Sequence, residues 1–262
     1  MATVKEYFEV RARGGTWASL YDAPLDARTY NFITRRQAVE RLLQADGRYA
    51  QALDIGCGTG DYAQVVWRHN GVYHGLDFSA MMITQAGERL QGSERPYELA
   101  VGSGEQLPYR DDTFDLVLAL GYIEYFHDPT MTLTEIRRVL KPGGTLIIQS
   151  FKRELCGNVY RVLLSPLRRA AYVLGGKPLP VSMDVDRPYS PRQLDQLVGQ
   201  YGFARRAHLF NHFSVLPDPF RAKFSGLYAR ASEFMQRTNP EFWSFLAINY
   251  IGKYVLNKAS GT

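Results

Sequence analysis

The sequence contains little that would place the protein outside the cell or across a membrane. It has only two cysteines, Cys57 and Cys156, which lie far apart and match neither a disulfide framework nor a metal-ligand spacing. It has no run of about 18 apolar residues, and its first residues lack the apolar core of a secretory signal. We therefore expect a cytoplasmic protein with no disulfide, no membrane-spanning helix and no metal centre.

Internal repeats and low-complexity tracts are also missing, which argues against a solenoid or a disordered chain. With 45% hydrophobic and 22% charged residues, the composition is that of an ordinary globular protein. The net charge of +5 leaves nucleic acid and an anionic lipid surface open as partners. Nucleic acid is disfavoured because the basic residues alternate with apolar ones and no RNA-binding module is recognisable.

The middle of the chain alternates between short apolar runs and amphipathic segments. This rhythm predicts a Rossmann-like α/β fold with a doubly wound, seven-stranded mixed sheet in which one strand is antiparallel. A Pro/Gly breaker at 141–144 is predicted to stop the helix before it. Strands are predicted at 51–55, 72–76, 97–101, 114–120, 145–151, 204–215 and 245–256, and helices at 34–43, 61–67, 79–90, 131–140, 190–198 and 219–237.

Two further features modify this fold. Residues 1–45, rich in aromatic side chains, are predicted to form a helical cap or lid over the main domain at 46–262. Insertions are predicted within that domain at 153–186 and 217–240, where apolar residues at helical spacing stand beside arginines. These insertions either cover the sheet with their charges solvated or meet an anionic lipid surface.

The stretch "ALDIGCGTGDYA" (52–63) follows a predicted buried strand and contains Gly56, Gly58 and Gly60. In a dinucleotide-binding turn the third glycine would come one residue later. Asp54 is a poor neighbour for a pyrophosphate and a good one for an ammonium or sulfonium group, and S-adenosylmethionine carries both. Asp77 ends the next strand, where an acid that binds ribose hydroxyls belongs.

Four stretches together resemble the class I S-adenosylmethionine-dependent methyltransferases that act on small molecules. They are "LDIGCGTG" (53–60), "GLDFSAMM" (75–82), "GSGEQLPYRDDTFDLV" (102–117) and "LKPGGTLII" (140–148), in the order and spacing of that family. The resemblance covers residues 50 to 150 and implies a methyltransferase domain that uses S-adenosylmethionine.

The resemblance also implies a set of cofactor contacts. Asp54 would orient the methionine amino group through water, and Asp77 would accept from both ribose hydroxyls. Phe78 and Met82 would sandwich the adenine. Ser103 stands where the family often has an acid, and it brings no charge. The other implied contacts are Gly56, Cys57, Gly58 and Gly60 in the turn, Gly104 and Glu105 with Ser103 at the adenine edge, and Leu120 near the sulfonium.

The acceptor is less well defined, because methyl transfer needs alignment and exclusion of water more than a fixed catalytic residue. The segment 121–129 faces the methyl group in this fold, and Tyr125 is the expected catalytic residue, with Glu124 and His127 as alternative bases. Arg35 or Arg36 is expected to meet the cofactor's carboxylate.

The aromatic cap favours a small apolar or aromatic acceptor, with O-methylation expected and N- and C-methylation open. A lipid or lipid-linked acceptor at a membrane surface is one alternative, and a non-catalytic S-adenosylmethionine-binding protein is another. A nucleotide-dependent dehydrogenase is disfavoured by the glycine spacing and by Asp54. The oligomeric state is left open.

Overall fold

A computed structural model describes residue 9 and residues 29–44, 49–151, 188–213 and 224–258. Within these ranges helices and strands alternate as the sequence predicts. The helices are α1 (Tyr30–Gln44), α2 (Ala63–Arg68), α3 (Ala80–Leu90), α4 (Thr130–Val139), α5 (Pro191–Gly199) and α6 (Ser225–Thr238), with short 3₁₀-helices at Ile123–Tyr125 and Phe242–Leu246. The strands are β1 (Gln51–Ile55), β2 (Val72–Asp77), β3 (Tyr97–Val101), β4 (Phe114–Ala119), β5 (Leu140–Phe151), β6 (Phe203–Phe213) and β7 (Ala247–Leu256).

The seven strands form one sheet in the order β3-β2-β1-β4-β5-β7-β6. Strands β1 to β5 pair in parallel, whereas β7 runs antiparallel to both of its neighbours, β5 and β6. The predicted mixed sheet with one antiparallel strand is therefore confirmed. The strand order reverses between β1 and β4, and sheets of this kind bind ligands at the carboxyl ends of the strands beside such a reversal.

Helices cover both faces of the sheet, which explains why the central strands are apolar at nearly every position. Along β4, Leu116 and Leu118 belong to the core cluster that α1 and α2 complete. Val117 and Ala119 belong to the opposite cluster, with residues of α4 and α5. Side chains that alternate along a strand thus fill a core on each face of the sheet, and both cores hold the strand ends from which the loops start.

Strand β5 is longer than predicted. The sequence places its start at Thr145, after the breaker at 141–144, but pairing with β4 already begins at Leu140. The breaker does end α4 at Val139. Between the Phe114↔Leu140 and Leu116↔Thr145 pairs the register is irregular, because β5 has more residues there than β4. Gly143, at φ +75°, accommodates this irregular stretch.

Helix ends also differ from the predicted ones by a few residues. Helix α1 starts at Tyr30, earlier than the predicted 34, because the amide groups of Phe32 and Ile33 bond to the carbonyl oxygen of Thr29. Helix α5 begins as predicted with a capping box in which Ser190 and Gln193 satisfy each other's amide groups. Residues 1–8, 10–28 and 45 of the predicted cap, the whole predicted insertion at 153–186 and residues 217–223 of the second insertion lie outside the described residues.

Helix α1 is attached to the sheet in two ways. Its C-terminal half is apolar and joins the core through Ala38, Val39, Leu42 and Leu43. Its N-terminal half is attached by side-chain hydrogen bonds to three buried residues of β5, β6 and β7, in the pairs Arg35–Gln149, Thr34–Asn211 and Asn31–Asn249.

None of the helices in the described ranges combines the length and the apolar character needed to cross a bilayer.

Candidate cofactor and active site

A cavity of about 230 Å³ lies at the carboxyl ends of β1, β2, β4 and β5, beside the reversal in strand order, with α1 as one wall. Each of these elements contributes to its lining. The lining residues are Asn31, Phe32 and Arg35 from α1; Gly56, Cys57, Gly58, Asp61 and Tyr62 after β1; Asp77, Phe78 and Met82 after β2; Leu120, Gly121, Tyr122 and Tyr125 after β4; and Phe151 at the end of β5.

The glycine turn after β1 has a backbone that other residues rarely adopt. Gly56 and Gly58 have φ values of +72° and +53°. A Cβ atom on Gly56 would stand 2.7 Å from Cδ2 of Tyr122, so this position also lacks room for a side chain. The turn is tied to β2 because the amide groups of Gly56 and Cys57 both donate to the carbonyl oxygen of Leu76. The bare backbone of the turn therefore forms a fixed part of the cavity wall.

Asp77 is buried beside this turn and holds it in place. One carboxylate oxygen accepts from the amide of Gly58 at 3.0 Å, and the other accepts from the amide of Ser79 at 2.9 Å. Burial raises the pKa of Asp77, while these two hydrogen bonds lower it. Each oxygen of a carboxylate has a second lone pair, so Asp77 can still accept from two vicinal hydroxyls in the cavity.

Two more carboxylates lie close to the turn. Asp54 is 2% exposed, accepts from the Tyr73 hydroxyl at 2.8 Å, and is not among the cavity-lining residues. Its pKa is raised to about 7, first by burial and further by Asp61 and Asp77. Asp61 does line the cavity, where it accepts from Thr59 and is ion-paired with Arg89. Burial raises its pKa as well.

Burial is the first cause of the raised pKa of all three carboxylates, and Arg35 and Arg89 offset it only in part, so the site can accommodate further positive charge. A ligand with an ammonium or sulfonium group would supply that charge and favour the ionised carboxylates. A pyrophosphate would add to the repulsion. The three carboxylates, the bare glycine turn and the second lone pairs on the oxygens of Asp77 therefore fit S-adenosylmethionine.

Cofactor affinity should depend on pH through Asp54. Below about pH 7 its carboxyl group holds a proton and attracts a cation weakly, so we expect affinity for S-adenosylmethionine to rise about fivefold to tenfold between about pH 6 and about pH 8. Calorimetry across this range measures the rise. Asp54→Asn, which cannot ionise, should show a flatter profile, and an unchanged profile in that variant would contradict the assignment.

The same titration affects stability with a defined sign. The folded protein keeps the Asp54 proton up to about pH 7, whereas the unfolded chain releases it near the ordinary aspartate pKa of 3.8. Between these values the folded state binds more protons, so the contribution of Asp54 to the free energy of unfolding falls as pH rises. The difference between the wild type and Asp54→Asn isolates this contribution from those of Asp61 and Asp77.

Arg35 is the cation on the cavity wall. Its guanidinium lies 5.4 Å from the ring centroid of Phe32 and 6.0 Å from that of Tyr62, and it donates to Gln149 Oε1 at 3.2 Å. Arg36, the other candidate named from the sequence, is not among the lining residues. A planar guanidinium held between two rings is suited to bind a carboxylate, so Arg35 is the better candidate for the methionine carboxylate.

The other sequence-predicted contacts divide into two groups. Cys57, Phe78, Met82 and Leu120 line the cavity, as the resemblance implies. Gly60, Ser103, Gly104 and Glu105 do not. Gly60 faces α3, where its Cβ would stand 3.2 Å from Leu90. Tyr122 stands in front of Gly104 and accepts a hydrogen bond from its amide at 3.1 Å.

The loop after β4 brings one of its three candidate catalytic residues to the cavity. Tyr125, at the end of the 3₁₀-helix, is a lining residue, whereas Glu124 and His127 are not. Glu124 is fully buried beneath the loop, near Gly121 and Arg35: a Cβ on Gly121 would lie 3.7 Å from its carboxylate and 2.8 Å from Nη1 of Arg35.

Several lining residues were missed by the sequence reading. Asp61 and Tyr62 directly follow the glycine turn, and that position was their only signal. Tyr122 belongs to the segment expected to face the methyl group. Asn31 and Phe151 come from α1 and the end of β5, and they carry no local pattern that marks them as part of a site.

Comparison with known proteins agrees with this geometry. The family model described as a methyltransferase domain matches residues 53–148. A ubiquinone/menaquinone biosynthesis C-methyltransferase of Geobacter sulfurreducens is 31% identical over 196 residues, which span 69% of this chain and 74% of that protein. A demethylmenaquinone methyltransferase of Lactiplantibacillus plantarum is 37% identical over 119 residues, 43% of this chain and about half, 49%, of that protein's length.

Among solved structures, the magnesium protoporphyrin IX methyltransferase of Synechocystis PCC 6803 with bound S-adenosylhomocysteine shares the fold. Its TM-score is 0.65 at 14% identity, over 97% of both chains. The cofactor is S-adenosylmethionine, and the protein is an enzyme that transfers its methyl group. The chain belongs to the class I S-adenosylmethionine-dependent methyltransferases.

Proposed function

We propose that the protein methylates a ring carbon of a small, electron-rich aromatic acceptor of the hydroquinone type. The observation that carries the proposal is the 31% identity that extends over 74% of the Geobacter ubiquinone/menaquinone biosynthesis C-methyltransferase, well beyond the cofactor-binding segment. The demethylmenaquinone methyltransferase from Lactiplantibacillus plantarum supports the same acceptor class. The O-methylation expected from the sequence remains the alternative outcome.

The strand order separates two ends of the cavity, one suited to the cofactor and one to the acceptor. Asp77 ends β2 and Phe151 ends β5, and β1 and β4 lie between them. Three strand spacings separate these two residues by about 14 Å. We infer that the adenosine lies at the Asp77 end, with Phe78 and Met82, and that the acceptor enters at the Phe151 end, next to Tyr125.

The walls of the cavity suit a flat acceptor. Six aromatic side chains from five different segments line it, and rings of this kind stack on or pack edge-on against a planar ligand. Helix α1 closes one side and limits access of water to the reacting groups. The aromatic lining residues are Phe32, Tyr62, Phe78, Tyr122, Tyr125 and Phe151.

When bound, S-adenosylmethionine supplies an electrophilic methyl group on a cationic sulfur. A ring carbon becomes a good nucleophile when the neighbouring hydroxyl group loses its proton. After transfer, the methylated carbon releases its hydrogen as a proton, the C–H electrons return to the aromatic ring, and the ring oxygen takes up a proton again. We infer that Tyr125 positions that hydroxyl by hydrogen bonding, and that Leu120 and Tyr122 shield the reacting atoms from water.

The acceptor is tested with methyl-labelled S-adenosylmethionine and reduced demethylmenaquinone. We expect label on a ring carbon, so that the product can still be oxidised to a quinone and gives a quinone absorption spectrum. A methyl ether would block that oxidation, and mass spectrometry would locate the label on oxygen. Label on oxygen, or cofactor binding without transfer to any hydroquinone, would overturn the proposal.

A further inference from the structure

The exposed large hydrophobic side chains of the described residues belong to segments that begin or end at the sheet edge that carries the cavity. Each of them lies at or after the carboxyl end of a parallel strand or precedes the antiparallel strand β7, whose first residue, Ala247, pairs with Phe213 at the end of β6. They are Met81, Val101, Met131, Phe224, Leu227, Phe234, Phe242 and Phe245.

Five of these side chains belong to α6 and the segments beside it. The Ser232 hydroxyl of α6 accepts from the amide of Phe213 at 3.0 Å, which places the helix at this edge. The ring of Tyr228 lies 6.1 Å from that of Tyr30, at the start of α1. Helix α6 therefore adjoins the helix that forms one wall of the cavity.

Both faces of α6 carry large apolar residues. Tyr228 and Met235 are buried on its inner face. On its outer face Leu227 is 65% exposed and Phe234, two turns later, is 60% exposed. Arg230 is exposed between them, so a cation stands within the outer apolar stripe. A helix that only covers the sheet would have a polar outer face.

The α6 surface consists of the outer-face residues Phe224, Leu227, Arg230 and Phe234, together with Phe242 and Phe245 from the following 3₁₀-helix. We propose that this surface binds an anionic phospholipid bilayer and holds the cavity edge of the enzyme against it. The further step, in which the acceptor enters the cavity from the bilayer, rests on the proposed function, because a hydroquinone with an apolar tail resides in the bilayer.

Charge and chemistry favour a bilayer as the occupant. Phenylalanine and leucine insert at the boundary between headgroups and acyl chains, and an arginine between them reaches the phosphates while its stem stays in contact with the chains. The net charge of +5 adds attraction to an anionic surface. The Glu233 carboxylate, on the same helix, is neutralised by Arg237 at 2.6 Å.

Co-sedimentation of the full-length protein with vesicles tests the proposal. Wild-type protein should sediment with vesicles of equimolar phosphatidylglycerol and phosphatidylcholine at low salt, and less with phosphatidylcholine alone. Binding should weaken as salt is added. Protein that stays in the supernatant with anionic vesicles at low salt would overturn the proposal.

The double variant Leu227→Ser/Phe234→Ser removes the two most exposed apolar side chains of α6. We expect about a hundredfold weaker vesicle binding, because each side chain loses its transfer out of water. Val101→Ser is the matched control: Val101 is 56% exposed, and β3 lies six strand spacings from β6, about 29 Å. Equal losses in both variants would contradict the α6 surface.

Two control measurements show whether the double variant is changed only at the α6 surface. Affinity for S-adenosylhomocysteine and the thermal unfolding midpoint should be unchanged in the double variant, which shows that fold and cofactor site are intact. Arg230→Gln, which keeps the apolar stripe, should lower only the preference for anionic vesicles. A failure of methyl transfer to hydroquinones would overturn the proposed function but not the vesicle-binding result. A failure to bind vesicles would overturn the α6 surface but not the methyl-transfer result.

Discussion

Asp77→Asn should weaken binding of S-adenosylhomocysteine by at least about a hundredfold if, as we propose, the carboxylate that holds the turn also accepts from the ribose hydroxyls. In the wild type its two oxygens accept from the amides of Gly58 and Ser79. The asparagine has a single oxygen, so its NH₂ group must face one of these amides or the ribose. The free energy of unfolding should also fall, by about 1–3 kcal/mol for one buried amide left without an acceptor.

Calorimetry with S-adenosylhomocysteine measures the loss, with a denaturation curve to show that the variant is folded at the assay temperature. Glu105→Gln is the matched control, since the resemblance also assigns Glu105 to the cofactor but the structure places it outside the cavity lining. We expect unchanged affinity for that variant. An Asp77→Asn variant that binds like wild type would remove Asp77 from the site.

Gly56→Ala is expected to lower the free energy of unfolding by about 2–4 kcal/mol. A left-handed backbone costs about 1–2 kcal/mol for a residue with a Cβ atom, and Gly56 has a φ of +72°. The new methyl group would also stand 2.7 Å from Tyr122, which must move within a packed wall. Affinity for the cofactor should fall with stability, since the turn and Tyr122 both line the cavity.

Gly92→Ala separates the two causes. Gly92 has a similar φ of +80°, and a Cβ on it would meet nothing within 4 Å, so this variant isolates the backbone cost. Urea denaturation should therefore show a loss about 1–3 kcal/mol larger for Gly56→Ala than for Gly92→Ala. Equal losses in the two variants would mean that Tyr122 does not restrict the turn.

Local patterns predicted the framework of the site well. The bounds of β1 and β3 agree with the apolar runs "QALDI" and "YELAV", since short buried strands leave a continuous apolar signal. The glycine turn and Asp77 lie at the ends of two such strands, so predicting β1 and β2 also predicts that these residues share one edge.

The rest depends on contacts between segments that are distant in sequence. The amide of Gly104 bonds to the Tyr122 hydroxyl, 18 residues later, and that contact keeps the segment 103–105 out of the cavity lining. Asn31 reaches the cavity because α1 packs against β5, β6 and β7, and Phe151 reaches it because β5 ends there. Neither arrangement has a signature in a single stretch of sequence.

Helix α1 is attached to the sheet by hydrogen bonds at its N-terminal half and by apolar packing at its C-terminal half, so the two halves should unfold locally with different free energies. Water can replace the hydrogen bonds of Asn31 and Thr34 at little net cost, so Tyr30 is the main buried apolar contact at this end, whereas releasing the other end would expose Val39, Leu42 and Leu43 together. Fraying should therefore start at the N-terminal end of the helix, beside the cavity, and stop at its apolar half. Opening at this end would give ligands an entry route while the apolar half of α1 stays on the core, and hydrogen exchange along α1 should be graded in the same direction.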